Sequence, residues 1–488
     1  MAEDGRSHED SAVSPTGDRS RATHDRKPTR ALLDFMATGW DTSGADPGTP
    51  IEGVENYQRR REDLSQRFPG MLIVVPAGVE KMRANDTEYR FRPSTDYLYL
   101  VGAGQPDEVL VMEPQAEGGH RARILTEPSP DYTKSGFFTD RGKGSLWVGP
   151  SRGLEATESQ LGLGAGAISE LPQTLTAYDH GVVLRGVDPK VDQLAADLAG
   201  PDEELSHQLS EMRLVKDPLE VKLVEEACDL TRQGFEDVVR ALPTARTERD
   251  VEVAFFARAR VAGNDTGYST IAAAGSHATI LHWSRNSGAV RPGDLLLLDA
   301  GVESNRYYTA DVTRTLPISG RFSTVQRKVY QLVYQAQLAA FAEVRPSNEF
   351  LAPNRAAQKV LAIGLAEMGL LPVSAEESLA PDSQLHQRYT LHRVSHMLGL
   401  DVHDCAQARE QTYIKALLEP GMVLTVEPGL YFQPNDLTVP EELRGIGVRI
   451  EDDVLVTEGG YRLLSVGIPS QPDEIERWMA DLWAGSGS

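Results

Sequence analysis

Residues 291–301 read RPGDLLLLDAG, and residues 419–429 read EPGMVLTVEPG. In both stretches a Pro-Gly turn precedes an apolar run of strand length. An acidic residue, Asp299 in the first stretch and Glu427 in the second, ends the run six residues after the glycine. Two copies of one pattern in a single chain predict two similar half-domains.

A second acid follows each of these runs. Asp311 lies nine residues before a glycine in YYTADVTRTLPISG, residues 307–320, and Glu451 does the same in GIGVRIEDDVLVTEGG, residues 445–460. We therefore expect each half-domain to contribute a hairpin with two carboxylates. A carboxylate among apolar strand residues is costly to bury without compensating charge. Four such acids favour a metal site over salt bridges to arginine.

The same part of the chain is rich in imidazoles. His392, His396 and His403 lie in TLHRVSHMLGLDVHD, residues 390–404. The first two are four residues apart, so on a helix they would share a face. A zinc-protease HExxH motif is excluded because Arg393 occupies the position of its glutamate.

Four carboxylates with one imidazole form an oxygen-rich set of ligands, which suits Mn²⁺ or Co²⁺ and, less selectively, Zn²⁺. Carboxylates can bridge, so two ions about 3.5 to 4 Å apart with a shared hydroxide as nucleophile are expected. Hydrolysis is the reaction class that this chemistry predicts.

The composition of the chain varies along its length and predicts its domains. Between Met1 and Arg30 the only branched aliphatic or aromatic residue is Val13, and residues 1–48 are expected to form a disordered extension. Residues 49–205 alternate strand and helix patterns and predict an α/β domain with a mixed sheet. The polar residues 206–217 predict a linker, 218–475 an α+β domain, and 476–488 a tail.

The overall composition excludes several function classes. The net charge of −23 would repel phosphate backbones, so nucleic acid is not an expected partner. No stretch approaches the about 18 to 20 apolar residues of a membrane-spanning helix, and the N-terminal region lacks the apolar core of a secretory signal. Two cysteines, Cys228 and Cys405, suit a reducing compartment. A cytoplasmic protein without a membrane partner is expected.

Motifs in both predicted domains resemble one family. In the second domain the segments resemble the pita-bread metallopeptidases, and within them aminopeptidase P; they are TILHWSRN (279–286), DAGVESNRYYTADVTRT (299–315), HRVSHMLGLDVHD (392–404), TVEPGLYF (425–432) and GVRIEDDVLVT (447–457). In the first domain, NYQRRREDL, YRFRPSTDYLYLVG and EVLVMEP resemble the N-terminal domain of bacterial aminopeptidase P. The likeness runs from about Asn56 to Ser470. It implies an α+β protein whose N-terminal α/β domain precedes a pseudo-twofold pita-bread catalytic domain.

The resemblance also implies a set of five metal ligands. Asp299 would bind one ion, and Asp311 and Glu451 would bridge both ions. His396 and Glu427 would hold the other ion. Glu427 would in addition take the proton from the attacking water and pass it on.

Five further residues are implied to act on the substrate. His282 and His403 would hydrogen-bond the substrate carbonyl or the tetrahedral intermediate. His392 would line the pocket for the proline ring. Tyr431 and Arg449 would orient the ligands and the substrate.

The activity implied by the resemblance is release of the N-terminal residue from peptides with proline in second position, by attack of a hydroxide that bridges two divalent ions. Mn²⁺ is the expected ion, with Co²⁺ and Zn²⁺ as alternatives, and a homotetramer is the expected assembly. A prolidase, restricted to Xaa-Pro dipeptides, would share all the metal ligands and is the alternative activity. A creatinase-like amidinohydrolase would lack part of the ligand set, and a peptide- or protein-binding module on the same fold would have lost ligands.

One departure from the family affects Asp311. Eleven residues, 300–310, separate it from Asp299, where the family usually has ten. An extra residue in the turn near 304–307 would leave both strands in register. An extra residue within a strand would turn one ligand to the other face unless a bulge absorbed it.

Overall fold

The computed structural model describes residues 28–41, 47–85 and 87–485. The described chain divides between Asp202 and Glu203 into two compact units, named here the N-terminal unit and the C-terminal unit. Most of the predicted extension 1–48 lies outside the described residues, and Arg30–Met36 within it forms a helix.

The N-terminal unit is built on a mixed sheet, as the α/β prediction requires. Five strands lie in the order β6-β5-β4-β1-β7, with the β1–β7 and β5–β6 pairs parallel and the other pairs antiparallel. The run LIVVP of β1 is buried along its whole length, as expected for a central strand covered on both faces. The strands are β1 (Leu72–Pro76), β2 (Met82–Ala84), β3 (Thr87–Glu88), β4 (Val109–Pro114), β5 (His120–Thr126), β6 (Gly164–Ala167) and β7 (Gly181–Val183). The helices are α1 (Arg30–Met36), α2 (Val54–Arg67), α3 (Thr95–Val101), α4 (Gly136–Thr139), α5 (Ser145–Val148), α6 (Gly153–Leu161), α7 (Leu171–Thr176) and α8 (Pro189–Leu194).

A buried carboxylate, Glu108, lies between strands and helices of the N-terminal unit. It accepts hydrogen bonds from the hydroxyls of Tyr97 at 2.9 Å and Thr126 at 3.1 Å. Its ion pair with Arg152 has a nitrogen–oxygen distance of 2.6 Å. The charge is therefore paired and hydrogen-bonded, as burial of a carboxylate requires.

The C-terminal unit contains the two predicted half-domains. Helix α9 (Asp202–Met212) begins at the boundary, and the other helices are α10 (Pro218–Ala241), α11 (Glu248–Ala262), α12 (Thr324–Glu343), α13 (Ala352–Glu367), α14 (Ala375–Leu379) and α15 (Pro472–Gly485). The strands are β8 (Asp265–Thr266), β9 (Ile271–Ala274), β10 (Leu295–Ala300), β11 (Val302–Glu303), β12 (Val312–Pro317), β13 (Val423–Val426), β14 (Gly429–Tyr431), β15 (Gly447–Arg449), β16 (Asp452–Thr457) and β17 (Gly460–Leu463).

Each half-domain combines a pair of packed helices with a three-stranded antiparallel sheet. In the first half α10 packs on α11, and the sheet has the order β12-β10-β9. In the second half α12 packs on α13, and the sheet has the order β13-β16-β17. The internal similarity read from the two Pro-Gly stretches is thus a repeat of this arrangement, in agreement with the pita-bread prediction.

The polar residues 206–217, predicted as a linker, include the second half of α9. The next helix, α10, begins at Pro218, a residue whose fixed backbone angle suits the first helical position. The Asp217 side chain caps it by accepting hydrogen bonds from the amides of Leu219 and Glu220. Among residues 28–41, 47–85 and 87–485, no helix combines the length and the apolar character needed to cross a membrane.

Candidate metal centre

Strand register brings Asp299 and Asp311 to one face of the first hairpin. Asp299 lies opposite Thr313 in the β10–β12 ladder, and Asp311 precedes Thr313 by two residues, so all three point the same way. The Tyr268 hydroxyl lies 2.6 Å from Asp299 Oδ1 and 2.5 Å from Asp311 Oδ1. Because Tyr268 has a single hydroxyl proton, this close arrangement leaves the two carboxylates competing for one donor.

The additional residue between the two aspartates lies in the turn of the hairpin. The same register that pairs Ala300 with Val312 also pairs Glu303 with Thr309, so the strands stay in step up to the turn. Within the turn, the amide of Ser304 donates to the carbonyl of Tyr308 at 2.8 Å. Of the two alternatives left open by the sequence, the structure therefore has the one that keeps both acids on one face.

The second hairpin presents Glu427 and Glu451. Val426 pairs with Asp452 at the end of the β13–β16 ladder, so Glu427 and Glu451 are the next residues across from each other. Thr313 of the first half-domain makes two hydrogen bonds with Glu451. Thr313 Oγ1 donates to Glu451 Oε2 at 2.7 Å, and the amide of Glu451 donates to the carbonyl of Thr313 at 3.0 Å. The acids of the two halves therefore meet at one place.

The histidine segment is not a helix, so the condition under which the spacing of His392 and His396 gives a shared helix face is not met. The segment runs beside β13: the amide of Thr425 donates to the carbonyl of His396 at 3.0 Å, and the amide of Glu427 donates to the carbonyl of Val394 at 2.9 Å. In an extended chain, residues four apart also lie on one face. The spacing therefore predicted the shared face without distinguishing the two backbone conformations.

His396 lies among the acids of both halves. Its Nε2 is 3.4 Å from Asp311 Oδ2 and 3.6 Å from Glu427 Oε1. Asp311, His396 and Glu451 each offer a ligand atom, and these atoms all lie within 4.8 Å of one another. Predicted ligands of both half-domains therefore lie within reach of one metal ion.

The electrostatics of this cluster show an excess of negative charge. Burial and the neighbouring acids raise the pKa of Glu451 well above its usual value, and burial raises the pKa of Glu427 to about 7. Burial also raises the pKa of Asp299, although Arg449 opposes it. Burial lowers the pKa of His396, but its hydrogen bond to Asp311 and the charge of Glu427 outweigh this and raise it to about 9.

These carboxylates resist ionisation in the protein alone because they are buried together. Divalent ions would supply the missing positive charge, and the carboxylate oxygens and the imidazole are ligand types that Mn²⁺, Co²⁺ and Zn²⁺ accept. The residues present therefore fit a divalent metal centre.

A hydrogen-bonded chain leads from Asp299 to His392. Arg449 Nη2 lies 2.5 Å from Asp299 Oδ2, and Arg449 Nη1 donates to the Tyr431 hydroxyl at 2.9 Å. The Tyr431 hydroxyl lies 2.7 Å from His392 Nε2. Burial lowers the pKa of His392 to about 4, so the imidazole is neutral at neutral pH. Its Nδ1 lies 2.9 Å from the carbonyl of Arg393, which accepts, so Nε2 is the nitrogen that accepts from Tyr431.

The remaining two predicted residues, His403 and His282, are both exposed. The His403 ring lies 4.4 Å from that of His396, nearly perpendicular to it. Burial is the main cause that lowers the pKa of His403, and the charges of His396 and His282 lower it further. His282 acts on the pKa of His392 in the same direction, after the larger effects of burial and Arg449. The exposed imidazoles thus border the four acids Asp299, Asp311, Glu427 and Glu451, named here the acid cluster.

Two residues that sequence reasoning missed support this arrangement. Tyr268 bridges the two aspartates from a position 31 residues before Asp299, a separation that gives no pattern. Glu248, at the start of α11, is buried and accepts from the amide of Ala274 at 2.8 Å and from Trp283 Nε1 at 2.8 Å. Its side chain therefore contacts both ends of segment 274–283, which contains His282.

Comparison with known proteins gives consistent results for both units. The family described as metallopeptidase family M24 matches residues 222–458, and the family described as aminopeptidase P, N-terminal domain, matches residues 57–182. The chain is 51% identical over 456 residues to Xaa-Pro aminopeptidase 1 of Streptomyces coelicolor, with 92% of each chain covered. It is 32% identical over 452 residues to the Xaa-Pro aminopeptidase of Escherichia coli, covering 87% of this chain and 97% of the relative.

Solved structures agree with the sequence relatives. The aminopeptidase PepP of Pseudomonas aeruginosa is 31% identical, with a TM-score of 0.79 over 90% of this chain and 100% of that chain. Aminopeptidase P from E. coli with the inhibitor Pro-Leu is 29% identical, with a TM-score of 0.79 over 89% of this chain and 99% of that chain.

Proposed function

This chain belongs to the aminopeptidase P family of the M24 metallopeptidases, and on that premise we propose an assignment of its catalytic residues, its ions and its assembly. It is a metal-dependent aminopeptidase that removes the N-terminal residue from peptides with proline in second position. Such bonds need a dedicated site because the proline nitrogen carries no N–H and its ring constrains the chain.

The proposed metal centre would hold two divalent ions. Asp299 would be a ligand of one ion, and His396 and Glu427 would be ligands of the other. Asp311 and Glu451 would be ligands of both. When bound, the ions would activate a water molecule and polarise the scissile carbonyl. The support for this assignment is the excess of buried negative charge and the convergence of Asp311, His396 and Glu451 within 4.8 Å.

The residues of the chain divide the remaining work. Glu427 is the proposed proton acceptor and carrier, since its carboxylate is partly exposed and burial raises its pKa to about 7. His403 and His282 would donate hydrogen bonds to the substrate carbonyl oxygen as negative charge develops on it. His392, held by Tyr431 and Arg449, would line the pocket for the proline ring.

One observation carries this proposal: acids from both hairpins and His396 converge at a single buried place with too little positive charge to neutralise them. The test compares an Xaa-Pro dipeptide with an Xaa-Pro-Xaa tripeptide, using metal-stripped protein with and without Mn²⁺. The expected result is metal-dependent release of the first residue from the tripeptide. Cleavage of the dipeptide alone would indicate a prolidase. If neither substrate is cleaved although metal is bound, a peptide- or protein-binding module would be favoured.

We also propose the identity of the ion, the oligomeric state and the cellular location. Mn²⁺ is the proposed ion because the donor set is rich in carboxylate oxygen, and Co²⁺ or Zn²⁺ would show higher activity in a metal titration if this is wrong. A homotetramer is proposed from the family resemblance, and a monomer mass in light scattering would refute it. Cytoplasmic location is proposed because the two cysteines, Cys228 and Cys405, are free and buried. The domain limits 49–205 and 218–475 are proposed as well.

A further inference from the structure

The position of His403 depends on a short loop that returns to its own start. The amide of Asp404 donates to the carbonyl of Met397 at 3.0 Å, which closes the loop 397–404. This closure places the His403 ring 4.4 Å from the ring of His396. Asp404, whose amide closes the loop, is the residue that directly follows His403.

Two buried cations from outside the loop hold Asp404. Arg213 Nε lies 3.0 Å from Asp404 Oδ1, and Lys216 Nζ lies 3.2 Å from Asp404 Oδ2. The side chains of Lys216 and Asp404 are 0% and 1% exposed. Removing one partner from such a buried group leaves an uncompensated charge and is strongly destabilising.

The backbone packs closely around this ion cluster. A Cβ atom at Gly399 would overlap Asp404 Oδ2, so the loop closes directly over the carboxylate. The amide of Thr309, two residues before Asp311, donates to the carbonyl of Gly399 at 2.9 Å. The loop is thereby tied to the hairpin that carries a proposed metal ligand.

Helix α9 holds the chain that follows the loop. Glu211 Oε2 lies 2.8 Å from Arg409 Nη1, and Glu211 Oε1 accepts from Thr412 Oγ1 at 3.0 Å. Arg409 also pairs with Glu204, and His207 Nδ1 lies 2.6 Å from the carbonyl of Gln407. The segment that looked like a linker is thus a brace against residues 404–412.

We propose that Asp404, held by Arg213 and Lys216, is a positioning residue for His403, and that α9 with the residues up to 216 forms the brace that fixes it. The inference rests on the proposed role of His403 in binding the substrate carbonyl. The brace adds no group to the reaction and acts by holding the imidazole where it can meet the substrate. A small misplacement of such a group is costly, on the order of 100-fold in rate.

The test measures kcat and KM of the metal-loaded full chain on an Ala-Pro-Ala tripeptide. Asp404→Asn should lower kcat about 10- to 100-fold, with KM and bound metal unchanged. Glu108→Gln is the matched control, since it also removes a carboxylate charge from a buried ion pair, that with Arg152. It should change kcat less than about twofold. An equal loss of kcat in both variants would overturn the proposal.

A second arm places the same change in a His403→Ala background. If Asp404 acts through His403, Asp404→Asn should reduce kcat no further there, because the two residues act as one unit. If Asp404→Asn lowers kcat by the same factor with and without His403, Asp404 does not act through His403. This result would refute the positioning role of Asp404 and leave the proposed role of His403 standing. Wild-type kcat in His403→Ala would refute the role of His403 as well.

A milder variant keeps the test valid if Asp404→Asn does not fold. Glu211→Gln weakens the contact of α9 with Arg409 and Thr412 at a partly exposed position. We expect a loss of kcat of about two- to fivefold that disappears in the His403→Ala background. A loss that persists in that background would overturn the proposal.

Discussion

Two groups of buried carboxylates in the C-terminal unit differ in their balance of charge. The acid cluster, formed by Asp299, Asp311, Glu427 and Glu451, contains four carboxylates, and its contacts with cationic groups are those of Arg449 and His396 described above. The Asp404 cluster has one carboxylate between two cations, from Arg213 and Lys216.

The pKa of Glu451, in the acid cluster, and that of Asp404 are shifted in opposite directions from their ordinary values. Burial raises the pKa of Glu451 well above its usual value, and the neighbouring acids raise it further. Burial would raise the pKa of Asp404 in the same way, but the charges of Lys216 and Arg213 outweigh it and lower this pKa. Burial of a carboxylate therefore does not by itself indicate a catalytic site. A group of buried acids with too few cations is a candidate metal site, because a bound cation would favour their ionised forms.

The largest expected effect comes from removing a proposed bridging ligand. Asp311→Asn should lower kcat on the tripeptide by more than about 10³-fold, because a group that stabilises charge in the transition state is lost with the ions. Metal uptake, measured on the same samples, should fall with it. Asp473→Asn, which removes an exposed partner of Arg327, is the control and should leave both unchanged. Full metal uptake by Asp311→Asn would show that the acid cluster is not the metal centre.

The Asp404 cluster should show its effect in stability. Asp404→Asn leaves two buried cations without their carboxylate, and we expect the free energy of unfolding to fall by about 3 to 5 kcal/mol in urea titrations. Glu410→Gln breaks an exposed pair with Lys415 and should cost less than about 1 kcal/mol. Equal losses of unfolding free energy in the two variants would show that the buried Asp404 cluster stabilises the fold no more than an exposed ion pair does.

The pH dependence of the metal-free protein tests the acid cluster. Burial raises the pKa of Glu427 to about 7, so between its ordinary value of 4.5 and about 7 the folded state binds more protons than the unfolded state. The free energy of unfolding should therefore fall as pH rises through this window, by at most about 1.4 kcal/mol per pH unit for one group. The raised pKa of His396, about 9, acts in the same direction at higher pH.

Added Mn²⁺ should remove this decline, since the ion replaces the protons on its ligands. Urea unfolding at about pH 5, 6 and 7, with EDTA or with Mn²⁺, measures both behaviours. Stability that rises with pH in EDTA would show that the acids ionise without an ion.

Tyr268→Phe examines the donor shared by Asp299 and Asp311. The change removes a hydroxyl within 2.6 Å of each carboxylate and leaves the ring in place. Because outer partners orient metal ligands, we expect metal affinity or kcat to fall about 10- to 100-fold. Tyr308→Phe, whose buried hydroxyl contacts Glu220 at 3.0 Å, is the matched control and should leave metal affinity unchanged.

The acid cluster was predictable from the sequence because its features are local. Pro-Gly turns, apolar runs and acids at equal offsets define the hairpins that carry Asp299 and Glu427. The backbone of the histidine segment was not predictable, because a spacing of four residues gives a shared face in a helix and in an extended chain alike.

The Asp404 cluster and the role of α9 could not be read from the sequence. Arg213 and Asp404 are 191 residues apart, and Arg409 and Glu211 are 198 apart, so no periodicity connects them. The charged residues of α9 resemble a solvated linker until their partners are known. Long-range polar contacts of this kind require the tertiary structure.

The smallest expected effect distinguishes, by its sign, an acid of the acid cluster from a buried acid that has its own cation, Glu108 with Arg152. In metal-free protein, burial raises the pKa of Glu451, so its carboxyl must take up a proton when the chain folds. Glu451→Gln replaces it with a neutral amide and keeps an oxygen that accepts from Thr313 Oγ1. We expect the free energy of unfolding in EDTA to rise by about 1 kcal/mol, because this proton uptake is no longer needed. Glu108→Gln makes the same chemical change in a balanced pair and should lower it. A decrease in both variants would show that the acids of the two hairpins are stabilised within the protein alone, which would remove the reason for an ion at this place.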